Sequence, residues 1–477
     1  MTTATSQVGS TPESLGSGLK SRHLTMMGLG SAIGAGLFLG TGVGIKIAGP
    51  AILLAYIFAG IMIVFVMQML GEMAAARPLS GSFSAYAEQA FGHWAGFTLG
   101  WLYWFMLVMV MGAEMTGAAG FMSNWFGVPP WIPALVCVVI FAVINLAKVR
   151  GFGEFEFWFA FIKVGVIIVF LIIGVLLIFG LLPGHEPVGL SNFLGEKGFM
   201  PNGISGVAAG LLAVAFAFGG IEIVTIAAAE SDNPAHNVGV AVRSTITRIA
   251  VFYLGAVLVI TMLLPYDEIG DKKDIADSPF TVILAQAGVP AITTVMEVVI
   301  VLALLSAFNA QIYGTSRFVY SLANRGNAPK MFAETNRDGV PTKAVMLSMF
   351  FAFASVGLQF WNNQTLLQIL FNAVGGSLLV VWGFIIASYI KLHPQLERNG
   401  EITEVRMWGY PWLAWITLAM LVILTGLMLS DPNAQGQVIA VIVAVALLVA
   451  LSFTAKRGRE MTAANKRAYE AATRRVK

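Results

Sequence analysis

Four ionisable side chains stand in stretches that are otherwise apolar. Lys163 lies in Phe159-Ala160-Phe161-Ile162-Lys163-Val164, and Glu114 in Met111-Gly112-Ala113-Glu114-Met115-Thr116. Glu222 directly follows Phe216-Ala217-Phe218-Gly219-Gly220-Ile221, and Glu230 comes about two helical turns later. A charge placed in hydrocarbon costs roughly 2.5–3.5 kcal/mol on insertion scales, so each of these calls for a reason. A desolvated lysine with no acidic neighbour in sequence can give up its proton in one state and regain it in another, which is the chemistry of a coupling site. Lys163 can also snorkel to an interface marked by Glu154 and Glu156. Glu114, Glu222 and Glu230 can carry a proton or meet an ammonium group; Glu230 can equally pair with a loop residue such as Arg243. Glu72, Glu297 and Arg317 fall near the ends of apolar stretches, where a structural role is expected.

Glycines supply the second kind of chemistry. The run Gly28-Leu29-Gly30-Ser31-Ala32-Ile33-Gly34-Ala35-Gly36 sits inside an apolar block, where glycine weakens a helix. A helix opened there frees backbone N–H groups, and these can cradle an anion, aided by the positive end of the following half-helix. In lipid such a backbone persists only where it lines a protein cavity. Gly30/Gly34 and Gly36/Gly40 also fit close helix packing through small residues. The Gly219-Gly220 pair is a second break, set among aromatics and followed by Glu222. Glycine-interrupted segments at matching places in two halves of a chain point to the central site of a transporter.

The elements that must position these groups are membrane spans. The 477 residues are 57% hydrophobic and 11% charged, against roughly a quarter charged in soluble chains. The apolar residues come in blocks of about 20, enough to cross about 30 Å of hydrocarbon. Twelve spans are expected, near 24–44, 49–71, 94–124, 129–147, 155–182, 203–230, 246–265, 288–318, 342–360, 364–390, 409–430 and 436–455. With the N-terminus inside, about 23 of the 28 Lys and Arg residues fall on the inner side, which by the positive-inside rule places both termini in the cytoplasm. The expected division is a disordered tail at 1–22, a ten-helix transport core at 23–391, two further helices at 392–455, and a basic tail at 456–477. That last tail can be solvated or lie on anionic lipid.

Other classes lack their residues. The single cysteine, Cys137, permits no internal disulfide and no cysteine-based metal cluster. The five histidines are expected in loops or at span ends, and no aspartate falls within a span, so neither metal nor cofactor is expected. No phosphate-binding loop of the Walker type is present, which directs the energy source towards an ion gradient. No basic stripe suggests nucleic acid.

At this point the residues resemble bacterial amino-acid permeases of the amino acid–polyamine–organocation superfamily, over nearly the whole chain. The resemblance rests on Gly18-Leu19-Lys20-Ser21-Arg22-His23 leading into Gly30 to Gly40, then Gly81-Ser82-Phe83-Ser84-Ala85-Tyr86. It continues through Gly153-Glu154-Phe155-Glu156-Phe157-Trp158 and Phe218-Gly219-Gly220-Ile221-Glu222. It implies an all-α polytopic membrane protein with a LeuT-like fold of two inverted five-helix repeats, in which the first and sixth spans are discontinuous. It also implies that backbone N–H groups of Ser31, Ala32, Ile33, Gly34, Ala35 and Gly36 hold a substrate carboxylate. Carbonyls around Phe216, Ala217, Phe218, Gly219, Gly220 and Ile221 would hold the substrate amine. Lys163 matches a lysine that stands where sodium-coupled relatives bind an ion, which implies proton coupling. Glu114, Glu222 and Glu230 match carboxylates that recur in close relatives.

Substrate signals divide. Residues 34–36 and 113–116 are more similar to aromatic amino-acid permeases, while Glu222 to Ser231 and Arg406-Met407-Trp408 are more similar to GABA permeases. Small residues near the breaks (Ala32, Ala35, Gly219, Gly220) leave room for a bulky side chain. The expected activity is import of a neutral, aromatic amino acid by proton symport across the bacterial plasma membrane, with the bilayer and a small-molecule substrate as partners. The alternatives are a GABA or other neutral amino-acid permease, an amino-acid exchanger, and a membrane amino-acid sensor. An enzyme is not expected, and oligomeric state is left open.

Overall fold

The computed structural model describes residues 33–79, 81–146, 152–194, 198–222, 234–271, 278–287, 290–336, 340–360, 363–402, 405–430 and 432–454. Ser31, Ala32, Glu230 and both expected tails lie outside them. The described residues are helical with no strand. That is the outcome expected where no water is at hand to satisfy backbone groups. Among the described residues, eight helices are long and apolar enough to span a bilayer, and three shorter apolar ones fall at the expected fourth, sixth and ninth spans.

The chain enters on a π-helical turn, Gly36–Gly40, continues as α1 (Thr41–Ala48), makes a 3₁₀ turn at Gly49–Ala51, and runs on as α2 (Ile52–Ala76). The 3₁₀ turn separates the two stretches expected as the first and second spans, and the helices on either side of it face each other: Thr41 Oγ is 3.0 Å from the Tyr56 hydroxyl, and a Cβ on Gly44 would stand 3.1 Å from Ile52. The turn is local: Gly49 takes a φ of +66°, and Pro50 sits where its missing N–H has no partner to lose. After it come α3 (Ser82–Phe91), α4 (His93–Phe126), α5 (Trp131–Leu146) and α6 (Phe152–Ile178). Then follow α7 (Gly203–Ala217), α8 (Pro234–Arg248), a second π-helical turn at Ile249–Leu254, α9 (Gly255–Leu263) and α10 (Pro279–Gln286). The last are α11 (Pro290–Asn324), α12 (Thr342–Leu358), α13 (Asn363–Arg398), α14 (Trp412–Ser430) and α15 (Pro432–Thr454).

Helix α4 is the axis of the bundle and packs most extensively against α11 and α13. Small residues bring the backbones together there, as lipid-embedded packing requires. A methyl at Gly117 would stand 2.7 Å from Leu39 and 3.0 Å from Leu304. Outward, α14 and α15 expose Trp412, Val422, Leu447 and Phe453, a face whose solvent is hydrocarbon. Helix α13 continues through Pro394 to Arg398, past position 391. His393, expected in a loop or at a span end, is therefore on a helix and is buried. Pro394 is tolerated in that last stretch.

Candidate functional site at the paired helix breaks

Among the described residues each glycine-rich stretch holds a non-helical segment, and the two touch. Ile33 and Gly34 are non-helical, and the π-helical turn starts immediately after Ala35. On the other side α7 stops at Ala217, residues 218–220 form a turn, and Gly220 adopts a φ of +85° that a side chain would resist. A Cβ at Gly36 would stand 2.7 Å from the Ala217 Cα. Only a glycine allows the two backbones to approach this closely. The π turn leaves backbone groups in need of partners; Ser278 meets one of them by donating to the Phe38 carbonyl at 2.7 Å.

The Glu114 carboxylate occupies the mouth of the first half-helix. The Ala35 N–H donates to both of its oxygens, at 3.1 and 3.0 Å, and any Cβ on Gly34 would collide with it. This is the contact a helix N-terminus offers to an anion, here taken by a side chain of α4. The Lys163 Nζ, also buried, donates to Ser306 Oγ on α11 at 3.1 Å and lies within electrostatic reach of Glu114. The structure therefore gathers Glu114, Lys163 and the first break into one neighbourhood.

Glu222 sits on the far side of the second break. Its carboxylate accepts the Trp382 indole N–H of α13 at 2.8 Å, with Arg248 and Tyr103 in electrostatic reach. Arg248 belongs to the basic residues that the charge rule assigns to the inner side, and in the fold it is fully buried at the end of α8, next to the second π-helical turn. The signal was present: position 248 fell inside the limits expected for the seventh span. Aromatic rings fix the breaks on each side. Phe218 packs against Tyr253 (5.1 Å between centroids) and edge-on against Tyr56 (5.8 Å), and the Tyr56 hydroxyl is 3.0 Å from Thr41 Oγ. Phe216 lies 4.2 Å from Phe371 of α13.

A cavity of about 450 Å³ is lined by Asn202, Ser205 and Leu212 at α7 and by Gln368 and Asn372 of α13, among others. No group of His, Cys, Asp and Glu suited to a metal ion occurs among the described residues. The arrangement offers a backbone N–H with a competing carboxylate, a buried lysine, a buried Glu/Arg pair and an aromatic wall.

Comparison with known proteins identifies what the arrangement belongs to. The family described as Amino acid permease matches residues 23–464. The chain is 68% identical to the aromatic amino acid transport protein AroP of Corynebacterium glutamicum, over 92% of this chain and 95% of that protein. It is 42% identical to the gamma-aminobutyric acid permease of Bacillus subtilis, over 94% and 95%. It is 35% identical to AroP of Escherichia coli K12, over 88% and 91%.

Proposed function

We propose that this chain, which belongs to the amino acid permease family, imports an aromatic amino acid by proton symport through the paired helix breaks. That it is a multi-pass membrane transporter of amino acids, not an enzyme, follows from the family and its relatives. The aromatic cargo, the proton, the twelve-span inverted repeat and the cytoplasmic termini are our reading. The Corynebacterium relative supports the cargo.

The observation that carries the coupling is the hold of Glu114 on the Ala35 N–H. In this reading Ser31, Ala32, Ile33, Gly34, Ala35 and Gly36 receive the substrate carboxylate, so Glu114 and the substrate compete for one donor. An ionised Glu114 is a strong acceptor and a like charge to the incoming carboxylate. A protonated Glu114 is a weaker acceptor without that charge. Proton binding thus releases the N–H to the substrate, and proton loss returns it to Glu114 and expels the substrate. Two ligands that favour the same state help each other bind. Lys163 acts on this exchange through its charge, and Glu222 and Glu230 are the further proton-carrying candidates. The substrate amine goes to the carbonyls around Phe216, Ala217, Phe218, Gly219, Gly220 and Ile221.

The test is uptake of labelled phenylalanine into proteoliposomes with and without an imposed inward proton gradient, competed by tyrosine, tryptophan, lysine and GABA. Gradient-driven accumulation blocked by the aromatics is expected. Glu114→Gln and Lys163→Met are expected to equilibrate substrate without accumulating it. Full accumulation by Glu114→Gln would sink the competition mechanism. Block by GABA alone would assign the cargo instead to the GABA class, which the Bacillus relative keeps in view.

A further inference from the structure

Helix α13 is 36 residues long, or about 54 Å at 1.5 Å per residue, against about 30 Å of hydrocarbon. Its last turns therefore project beyond the apolar core, at the cytoplasmic end in the orientation proposed above. Beside them lies a cavity of about 530 Å³ lined by His393, Glu397, Arg406, Trp408, Gly409 and Tyr410. It has no part in the path between the breaks. Its floor, by contrast, is tied into the transport core.

The His393 Nδ1 is 2.5 Å from Glu72 Oε1 at the end of α2. Glu72 Oε2 also accepts the Tyr389 hydroxyl at 3.1 Å and the backbone N–H of Met407 at 2.6 Å. His393, Glu72 and Tyr389 are all buried. The Met407 bond fastens the linker between α13 and α14 to α2. Val405 of the same linker packs towards Gly71 of α2 and Gly239 of α8. The other ring nitrogen of His393, Nε2, is buried with no hydrogen-bond partner among the described residues. The nearest carboxylate oxygen to it belongs to Glu397, at 3.6 Å.

The walls carry one charge of each sign and two aromatic faces. Glu397 and Arg406 meet at 2.6 Å on the rim, where both are at least half exposed. Tyr410 stacks 3.7 Å from the His393 ring, and Trp408 stands exposed beside it. A zwitterion with an aromatic side chain matches each feature: its carboxylate pairs with Arg406, its ammonium with Glu397, and its ring lies on Trp408 and Tyr410. An anion alone would be repelled by Glu397, and a cation alone by Arg406.

We infer that this cavity is a second, cytoplasmic site for a free aromatic amino acid, which holds the linker against α13 and α2 and slows further import. The inference rests on the aromatic cargo proposed above. Occupancy by delivered substrate replaces the direct contact of Arg406 in the linker with Glu397 of α13 by a link through its own two charges, and its ring adds contacts to Trp408 and Tyr410, on a segment that Glu72 already secures. Movement of α2 relative to α13 is then opposed when cytoplasmic substrate is abundant.

Equilibrium binding of labelled phenylalanine to the purified full-length protein tests it, with proteoliposome uptake measured on the same preparations. Two molecules bound per chain are expected for the unmodified protein, and one for Arg406→Gln. Binding at the peripheral site should weaken about tenfold or more on loss of its charged partner. Trp408→Ala should weaken the same site and guards against a folding defect in the first variant. Both variants should import as the unmodified protein does, but lose the slowing caused by phenylalanine on the cytoplasmic side. One molecule per chain in the unmodified protein, or unchanged stoichiometry and slowing in both variants, overturns the site. Failure of phenylalanine to be imported at all overturns the aromatic cargo instead, so the two readings fail separately.

Discussion

The bundle centre and the end beside the α13–α14 linker solve the same problem, holding two chain segments together, by opposite means. At the centre, Gly36 presses backbone against Ala217, and neutral groups meet the charged ones: a peptide N–H for Glu114, an indole for Glu222, a hydroxyl for Lys163. At the end, Arg77 of the segment after α2 grips Glu401 through two nitrogens, at 2.6 and 2.9 Å. There too Arg325 binds Glu88 at 2.8 Å and Ser84 at 2.7 Å, and Glu72 gathers three donors. Exposed pairs such as Glu397–Arg406 form at little desolvation cost, while the buried Glu72 is held by several hydrogen bonds at once, and both serve as fasteners. Inside the membrane a fixed ion pair would be costly to separate in each transport cycle. A peptide dipole facing one protonatable group can let go. The contrast teaches where this protein is built to move and where it is built to hold.

The comparison breaks hardest at Gly36. Gly36→Val should lower phenylalanine uptake about ten- to a hundredfold, because overpacking of this kind costs about 1–3 kcal/mol; normal uptake by this variant would show that the breaks need not touch. A smaller effect is expected at the aromatic wall. Phe371→Leu forfeits a ring pair worth about 0.5–1.5 kcal/mol, so the KM for phenylalanine should rise a few-fold while small neutral amino acids are little affected. An equal change for both would remove the wall from the specificity.

The smallest effect is expected at the end beside the α13–α14 linker. Glu401→Gln should leave import intact and lower the midpoint of thermal unfolding by a degree or two, in keeping with about 0.2–1 kcal/mol for one peripheral ion pair. Its hydrogen bond from Arg77 holds the Glu401 carboxyl below the usual range for glutamate. The folded state thus binds this proton less readily than the unfolded state. The contribution is present above the unfolded value of about 4.3 and fades as pH falls through the lower folded value. Melting curves of the two proteins should therefore differ at neutral pH and converge in strong acid.

Much of this was legible along the chain, and the limits have a physical cause. The membrane class and both breaks follow from apolar run lengths and glycine clusters, which are local properties, and the motif resemblance gave the family. The boundary between the first two expected spans was legible because Gly49, at a φ of +66°, ends one helix and Pro50 opens the turn into the next. The partners of the charged groups were not legible. Glu114 meets Ala35 across 79 positions, Trp382 meets Glu222 across 160, and His393 meets Glu72 across 321. No periodicity encodes such separations.

By itself, then, the sequence determined the solvent, the helical character and the places where helices give way, because hydrophobicity and backbone freedom belong to each residue. Only the tertiary structure decided that Glu114 would lie on the half-helix N-terminus, that Arg248 would be buried near Glu222, and that His393 would meet Glu72 under the linker. Those are outcomes of helix packing, in which close approach through glycine brings remote side chains within hydrogen-bond range.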